Sequence, residues 1–110
     1  MTLLVNQQTI ETDPEGYLLD LKIWDQQVAT AIAEQEGIAL TENHWEIIHF
    51  MRDFYQTYDT TPAVRALVKA VKEKYGPEKG SSSYLFKLFP EGPAKQASKL
   101  AGLPKPARCL

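Results

Sequence analysis

The sequence predicts an α+β domain, in which a small N-terminal antiparallel β meander packs on an array of about five helices and a flexible C-terminal arm follows. Three observations support this fold class. Short apolar segments separated by turn residues fill the first twenty positions, apolar residues recur at helical spacing from Lys22 onward, and two prolines within three positions break the helical pattern near the C-terminus. The domain is expected to cover residues 1–102 and the arm residues 103–110.

The β meander is predicted from two short apolar segments and the turns beside them. Residues 3–5 and 8–12 flank a turn at residues 6–7, and the stretch DPEG at residues 13–16 suits a type I turn. Residues 17–19 are expected to add a third strand. A sheet of this size is not stable alone, so it must lie against the helices.

The first two helices are predicted from their caps and their apolar stripes. The first is expected to start at Lys22, capped by Asp20, and to end at Gly37. The second is expected to follow Thr41 as its cap. Apolar residues at helical spacing mark the buried faces of both helices: Trp24, Val28, Ile32, Trp45, Ile48, Met51 or Arg52, and Tyr55.

Three further helices are predicted in the second half of the chain. The third is expected to open at Thr61-Pro62, with the threonine as its cap, and to end at Gly76. A short serine-capped helix over residues 84–89 follows. A proline opens the last helix, which covers residues 94–101 and ends at Gly102.

Length and composition describe one ordinary globular domain. Of the 110 residues, 44% are apolar and 24% are charged, and no run approaches the roughly 20 apolar residues of a membrane helix. The N-terminus lacks the features of a secretory signal. The net charge of -2 argues against strong general attraction to nucleic acid. A single cysteine excludes an intramolecular disulfide, and with no export signal this suits the reducing cytoplasm, so we expect a cytoplasmic protein. No membrane partner is expected.

The one cysteine, Cys109, lies one residue from the C-terminus in the stretch LAGLPKPARCL. Unpaired cysteines are most often buried apolar residues, but this one lies on a terminal segment without apolar periodicity. Lys105 and Arg108 favour the thiolate, whereas the terminal carboxylate opposes it. Pro104 and Pro106 favour an extended arm and limit the entropy lost on entering a partner. We expect Cys109 to be a nucleophile that works in a partner's active site.

Other candidate sites in the sequence are weaker. His44 and His49 are five positions apart, about 140° around a helix, so no zinc site is expected, and no motif for another metal or a cofactor is visible. Arg65, Lys69 and Lys72 form a basic stripe, which is either a solvated face or a docking surface for an acidic partner or RNA. The second and third helices also resemble a helix-turn-helix, which leaves a nucleic-acid-binding regulator as an alternative.

Four stretches carry a family resemblance over nearly the whole chain: DPEGYL, then EGI with LTENHWEIIHFMRDFY, then PAVRALVKA, and finally KGSSSYLFKLFPEGPAKQASKLAGLPKPARCL. On these residues the chain resembles the TusE/DsrC family of small sulfur-carrier proteins. The resemblance implies an α+β domain with a mobile arm. It also implies a sulfurtransferase whose cysteine next to the C-terminus, here Cys109, carries sulfur as a persulfide.

One branch of this family, which serves dissimilatory sulfite reductase, has a second cysteine eleven positions earlier, where this chain has Ser98. Serine cannot pair with a thiol, so two-cysteine chemistry is not expected. The resemblance then implies a one-cysteine relay. Sulfur passes from an upstream TusBCD-like complex to an MnmA-like tRNA thiouridylase, which makes 2-thiouridine at the tRNA wobble position. A protein associated with sulfite reductase remains an alternative alongside the nucleic-acid regulator.

Overall fold

Two short strands and five α-helices follow one another in the computed structural model, which describes residues 1–106. The strands are β1 (Thr2–Val5) and β2 (Gln8–Glu11), a 3-10 helix covers Leu21–Ile23, and the helices are α1 (Gln26–Glu36), α2 (Glu42–Tyr58), α3 (Val64–Tyr75), α4 (Ser82–Leu88) and α5 (Pro93–Leu100). The predicted α+β class with five helices is confirmed. Within residues 1–106, none of the helices combines the length and apolarity needed to span a membrane.

The β meander consists of one hairpin and one additional bridge. β1 and β2 pair antiparallel. The turn residues Asn6 and Gln7 have φ of 49° and 66°, and two successive left-handed residues are the geometry of a type I′ turn, which matches the twist of the strands. The third predicted strand is reduced to a single antiparallel bridge between Thr12 and Leu18.

The first predicted helix is wrong at its start, because two aspartates divide the segment. Asp20 does act as a cap, but its carboxylate accepts the backbone N–H of Lys22 in the short 3-10 helix. Asp25 caps α1 instead, since its carboxylate accepts the N–H of Val28 at 2.9 Å. Trp24 therefore lies in extended backbone between the two helices and is not part of the α1 stripe.

The predicted caps of α2, α4 and α5 agree with the structure. Thr41 is the N-cap residue of α2. Ser81 caps α4 by accepting the N–H of Tyr84 at 3.2 Å. Pro93 occupies the first turn of α5, where its missing N–H leaves no helical hydrogen bond unmade.

The predicted start of α3 at Thr61-Pro62 is wrong by two residues. The helix begins at Val64, and Ala63 holds the N-cap position without a side-chain hydrogen bond. Pro62 is buried, so it contributes to packing in the connection before the helix. The predicted end at Gly76 is correct, and the backbone N–H of this glycine donates to the carbonyl of Lys72.

Helix α5 is the centre of the core, since it contacts α1, α2, α3 and α4. Small side chains let helix axes approach closely, and α5 buries four small or compact residues: Pro93, Ala94, Ala97 and Ser98. It also buries the larger Gln96 and Leu100, while other large core residues come from the surrounding elements, as Ile47, Met51 and Phe89 illustrate.

His44 connects the start of α2 to the end of α4. Its Nδ1 accepts the backbone N–H of Thr41 at 3.1 Å, and its Nε2 lies 2.8 Å from the carbonyl oxygen of Leu88. Because Nδ1 accepts, Nε2 carries the proton and donates to that carbonyl. The ring also meets the Phe89 ring edge-on, with centroids 5.4 Å apart. This histidine is therefore part of the core and not a candidate ligand.

Replacing His44 by alanine should lower the free energy of unfolding by about 2–4 kcal/mol, because it removes two hydrogen bonds of a buried side chain and leaves a cavity. Urea denaturation followed by circular dichroism measures this loss. The matched control is His49→Ala, which removes the exposed histidine of the same helix and should change stability by about 0.5 kcal/mol or less. Equal losses in both variants would contradict the structural role of His44.

Candidate functional site

The predicted sulfur-carrying residue, Cys109, and its neighbour Arg108 lie outside the described residues. The first four residues of the predicted arm are described, and they lie against the body of the protein. Leu103 is 3% exposed and belongs to the core, and Pro106 is buried, whereas the two residues between them are exposed. The predicted boundary at residue 102 lies two residues after the end of α5 and stays a prediction, as does the mobility of the arm beyond it.

Helix α5 ends in a Schellman motif, the turn that reverses a chain after a helix. Gly102 has φ of 70°, and its N–H donates to the carbonyl of Lys99 at 3.1 Å. The N–H of Leu103 donates to the carbonyl of Ser98 at 2.9 Å. These two bonds define the motif, and they satisfy two of the four carbonyls that a helix end leaves without helical partners.

The other two carbonyls, those of Leu100 and Ala101, are bound by side chains from distant parts of the chain. The indole N–H of Trp24 donates to the carbonyl of Leu100 at 2.8 Å. Nη1 of Arg52 donates to the carbonyl of Ala101 at 2.6 Å. The guanidinium also lies over the Trp24 ring, with its central carbon 4.0 Å from a ring centroid. We call Trp24 and Arg52 the carbonyl clamp.

The clamp places a positive charge where the dipole of α5 is negative. Partial burial lowers the pKa of the Arg52 guanidinium, and the carboxylate of Asp53 opposes this effect. Arginine nevertheless remains charged at physiological pH. A charge-assisted bond to a helix C-terminus is stronger than a neutral hydrogen bond, so the clamp holds the end of α5 firmly.

Gly102 is required at this position for two separate reasons. Its positive φ is unfavourable for any residue with a side chain. In addition, a Cβ built on Gly102 would lie 2.3 Å from Cδ1 of Trp24, which is closer than two carbon atoms can approach. The chain thus passes directly beneath the indole as it leaves the helix.

An aromatic surface continues from the clamp along α2. The exposed ring of His49 lies between two tryptophans, edge-on to Trp24 at 6.5 Å and stacked with Trp45 at 6.0 Å. Both tryptophans are half-buried. The predicted assignment of Trp24 and Trp45 to the core is therefore only half right, since part of each ring faces solvent.

A weaker contact joins the end of the described chain to the β meander. The Nζ of Lys105 lies 2.7 Å from the carboxylate of Glu15, and the two side chains are 39% and 53% exposed. Ion pairs this exposed contribute about 1 kcal/mol or less. This ion pair of Lys105 is thus one that a partner can replace.

Ser98 is fully buried in α5, and its hydroxyl has no hydrogen-bond partner among residues 1–106. An unpaired buried hydroxyl destabilises a fold. The site is therefore shaped for a small side chain and offers a polar group nothing to bind. The surroundings of Ser98 therefore give no support for a chemical role of its hydroxyl.

The predicted basic stripe is solvent-exposed. Arg65, Lys69 and Lys72 are all exposed on α3, and in the described part of the chain none of them forms an ion pair. The stripe belongs to a larger charge asymmetry. Residues 1–60 contain eleven acidic and two basic side chains, whereas residues 61–110 contain three acidic and ten basic ones. The net charge of -2 therefore conceals two strongly charged halves.

Comparison with known proteins identifies the family. The family described as DsrC like protein matches residues 4–110. The chain belongs to the DsrC-like family. Among its curated relatives, the sulfurtransferase TusE of Pectobacterium atrosepticum is 61% identical over 103 residues, covering 94% of each chain. A TusE homolog of Haemophilus influenzae is 61% identical over 108 residues, covering 98% of this chain and 99% of its own. The predicted resemblance and the sulfurtransferase class are confirmed.

Solved structures of DsrC-like proteins share the fold. The DsrC of Allochromatium vinosum is 51% identical, covers 99% of this chain and 97% of its own, and superimposes with a TM-score of 0.89. The oxidized gamma-subunit of the dissimilatory sulfite reductase from Archaeoglobus fulgidus is 42% identical over the full length of both chains, with a TM-score of 0.86. Both DsrC proteins thus share the fold of this chain.

Sequence reasoning missed the carbonyl clamp. Trp24 was assigned to the stripe of the first helix, and Arg52 was noted only as an alternative to Met51 on the second. Trp24 binds a carbonyl 76 residues away along the chain, and Arg52 binds one 49 residues away. Helical periodicity carries no signal for such contacts. The charge asymmetry, by contrast, is readable directly from the sequence.

Replacing Gly102 by alanine should destabilise the protein more than replacing Gly37 by alanine. Both glycines close Schellman motifs with nearly equal φ, 70° and 74°, but a Cβ at Gly37 meets nothing within 4 Å. Gly37→Ala is therefore a matched control for backbone strain, expected to cost about 1 kcal/mol. Gly102→Ala should cost a further 1–3 kcal/mol or so from the clash with Trp24. Thermal denaturation measures both, and equal losses would refute the close approach.

Proposed function

We propose that Cys109 accepts sulfur from the persulfide of an upstream TusBCD-like complex and passes it to an MnmA-like tRNA thiouridylase for 2-thiouridine synthesis at the wobble position. One observation carries the proposal: the only cysteine of a chain in this sulfurtransferase family stands next to its C-terminus. The reducing cytoplasm, where a free thiol persists, is the compartment that suits this role.

Loading is a transfer between two thiols that consumes no oxidant or reductant. The thiolate of Cys109 attacks the outer sulfur of the donor's persulfide and forms a new S–S bond. The donor's own S–S bond breaks, and the donor cysteine leaves as a thiolate. Unloading repeats the same exchange, with a cysteine of the thiouridylase as the attacking group. The positive charges of Lys105 and Arg108 favour the thiolate of Cys109 in both steps.

The absence of a second cysteine decides where the sulfur goes. In a two-cysteine protein, an internal thiol can attack the loaded sulfur and close a disulfide. Ser98 stands at that position here, and it is buried and cannot act as a thiol. The persulfide on Cys109 therefore has no internal acceptor and must react with another molecule.

The basic half of the chain supports docking to an acidic partner. Arg65, Lys69 and Lys72 are exposed, and they carry no competing ion pairs within residues 1–106. A thiouridylase with bound tRNA presents phosphates, which attract lysine and arginine strongly.

Incubation with a loaded persulfide donor should add one sulfur atom to the wild-type protein, as measured by intact mass. Cys109→Ser should accept none. A matched control keeps one exposed thiol but moves it: Cys109→Ser combined with Ser83→Cys, an exposed position at the start of α4. This double variant should gain little sulfur, since its thiol cannot reach the donor's active site. Equal loading of the double variant would show that any surface thiol suffices and would overturn the proposal.

Replacing Arg65, Lys69 and Lys72 of the basic stripe by glutamine should weaken binding to the thiouridylase–tRNA complex about tenfold at low salt. Each replacement removes one contact between a positive charge and a phosphate. Titrations at several salt concentrations should also show a shallower salt dependence. The control changes net charge equally at lysines outside α3: Lys22, Lys87 and Lys95 to glutamine.

Two outcomes of that titration speak against the proposed docking. If both triple variants bind alike, net charge alone matters and the stripe has no special role. If the wild type binds duplex DNA as tightly as the thiouridylase–tRNA complex, and Cys109→Ser leaves this unchanged, the nucleic-acid regulator becomes the better explanation.

A further inference from the structure

We infer that Trp24 and Arg52 are positioning residues for sulfur transfer: they fix the point and direction at which the chain leaves α5, and so aim Cys109 at its partners. The inference rests on the proposed function for the role of Cys109. The geometry of the clamp involves only described residues and does not depend on the proposed function.

The end of α5 is held by more side chains than the end of α1. Helix α1 closes with the same Schellman motif, in which Gly37 donates to Glu34 and Ile38 to Ala33. In the described part of the chain, no side chain donates to the two carbonyls that follow in α1, and that end is largely exposed, so water can satisfy them. The end of α5 is buried, and its two equivalent carbonyls are bound by Trp24 and Arg52. Two distant segments of the chain therefore fix the last peptide groups of α5 in place.

Each part of the clamp restricts a different freedom of the chain. The indole N–H and the guanidinium hold the last two peptide groups of the helix end from two directions. The indole ring lies against Gly102, where an added Cβ would be 2.3 Å from Cδ1 of Trp24, so no side chain fits between the chain and the ring. Stacking of Arg52 on the ring at 4.0 Å joins the two into one unit. Together these contacts fix the position of the chain as it leaves α5.

The contacts that follow the clamp are of a different kind. Lys105 and Glu15 form an exposed pair, which water or a partner can replace readily. Cys109 is three residues beyond Pro106, which limits it to about 10 Å from that residue while Pro106 stays buried. Reaching into a partner's pocket requires these outer contacts to open. The clamp and the buried Leu103 then form the fixed base from which the six residues from Pro104 to Cys109 extend.

A fixed base matters because thiol exchange needs the two sulfur atoms in contact. Six extended residues span about 19 Å, so a change of 30° in the direction of the chain at its base moves the far end by roughly 10 Å. If the direction of the chain at the end of α5 varied, the local concentration of Cys109 at the acceptor's cysteine would fall. The reactivity of the thiol toward a small reagent would not change.

The test compares three properties in Arg52→Met, which keeps the length of the side chain without its donors, and in Trp24→Phe, which removes the indole N–H. Sulfur transfer from preloaded protein to the thiouridylase should fall at least tenfold in kcat/KM for Arg52→Met and at least threefold for Trp24→Phe. Reaction of Cys109 with a small aromatic disulfide should stay within twofold of wild type. Arg52→Lys, which retains a charged donor for Ala101, should recover part of the transfer rate.

The third property is the distance distribution between spin labels on Cys109 and on Gln56→Cys, an exposed position on α2. It should broaden in both clamp variants. Lys87→Met, which replaces an exposed basic side chain of α4 by methionine, is the matched control. It should leave both rates within twofold of wild type and the distance distribution unchanged. All rates are taken below the melting temperature of each variant, and Trp24→Phe keeps the test decisive if Arg52→Met does not fold.

Two results would overturn the clamp as a positioning device. One is unchanged transfer together with an unchanged distance distribution. The other is an equal fall in transfer and in small-reagent reactivity, which indicates loss of folded protein only. If wild-type protein transfers no sulfur at all, the proposed function fails, and the spin-label distances still decide whether the clamp directs the chain.

Discussion

The closure of helix α5 at its C-terminus is the constraint on which the rest of this protein depends. A helix end leaves four carbonyls without helical partners, and a buried end must satisfy them within the protein. Here the chain itself satisfies two through the turn at Gly102, and Trp24 and Arg52 satisfy the other two. Because α5 contacts the four other helices, its end ties the connection before α1 and the middle of α2 to the centre of the core.

Strong and weak contacts are separated along the chain in a way that suits a carrier. The contacts at Leu100, Ala101 and Gly102 are buried or charge-assisted, and they belong to the permanent body. A few residues later, the pair between Lys105 and Glu15 is half exposed. A carrier must hold its base rigid and release its tip, and this order of contacts provides both without a separate hinge domain.

Local signals in the sequence predict most of the helices and little of the site. Gly76 and Gly102 mark helix ends because a left-handed or irregular residue is needed there, and this requirement is local. The start of α1 was missed because Asp20 and Asp25 are both good caps five residues apart, and only tertiary packing of Trp24 selects between them. The clamp itself could not be predicted, since it joins positions 24 and 52 to carbonyls in the last helix.

The absence of cysteine from the body has a consequence for how the protein responds to its surroundings. Ser98 occupies a site with 0% exposure, and Cys109 is the only cysteine in the chain. No disulfide can therefore form or break inside the core. The core holds no cross-link for the ambient redox potential to make or break, and thiol–disulfide exchange in this chain is confined to Cys109.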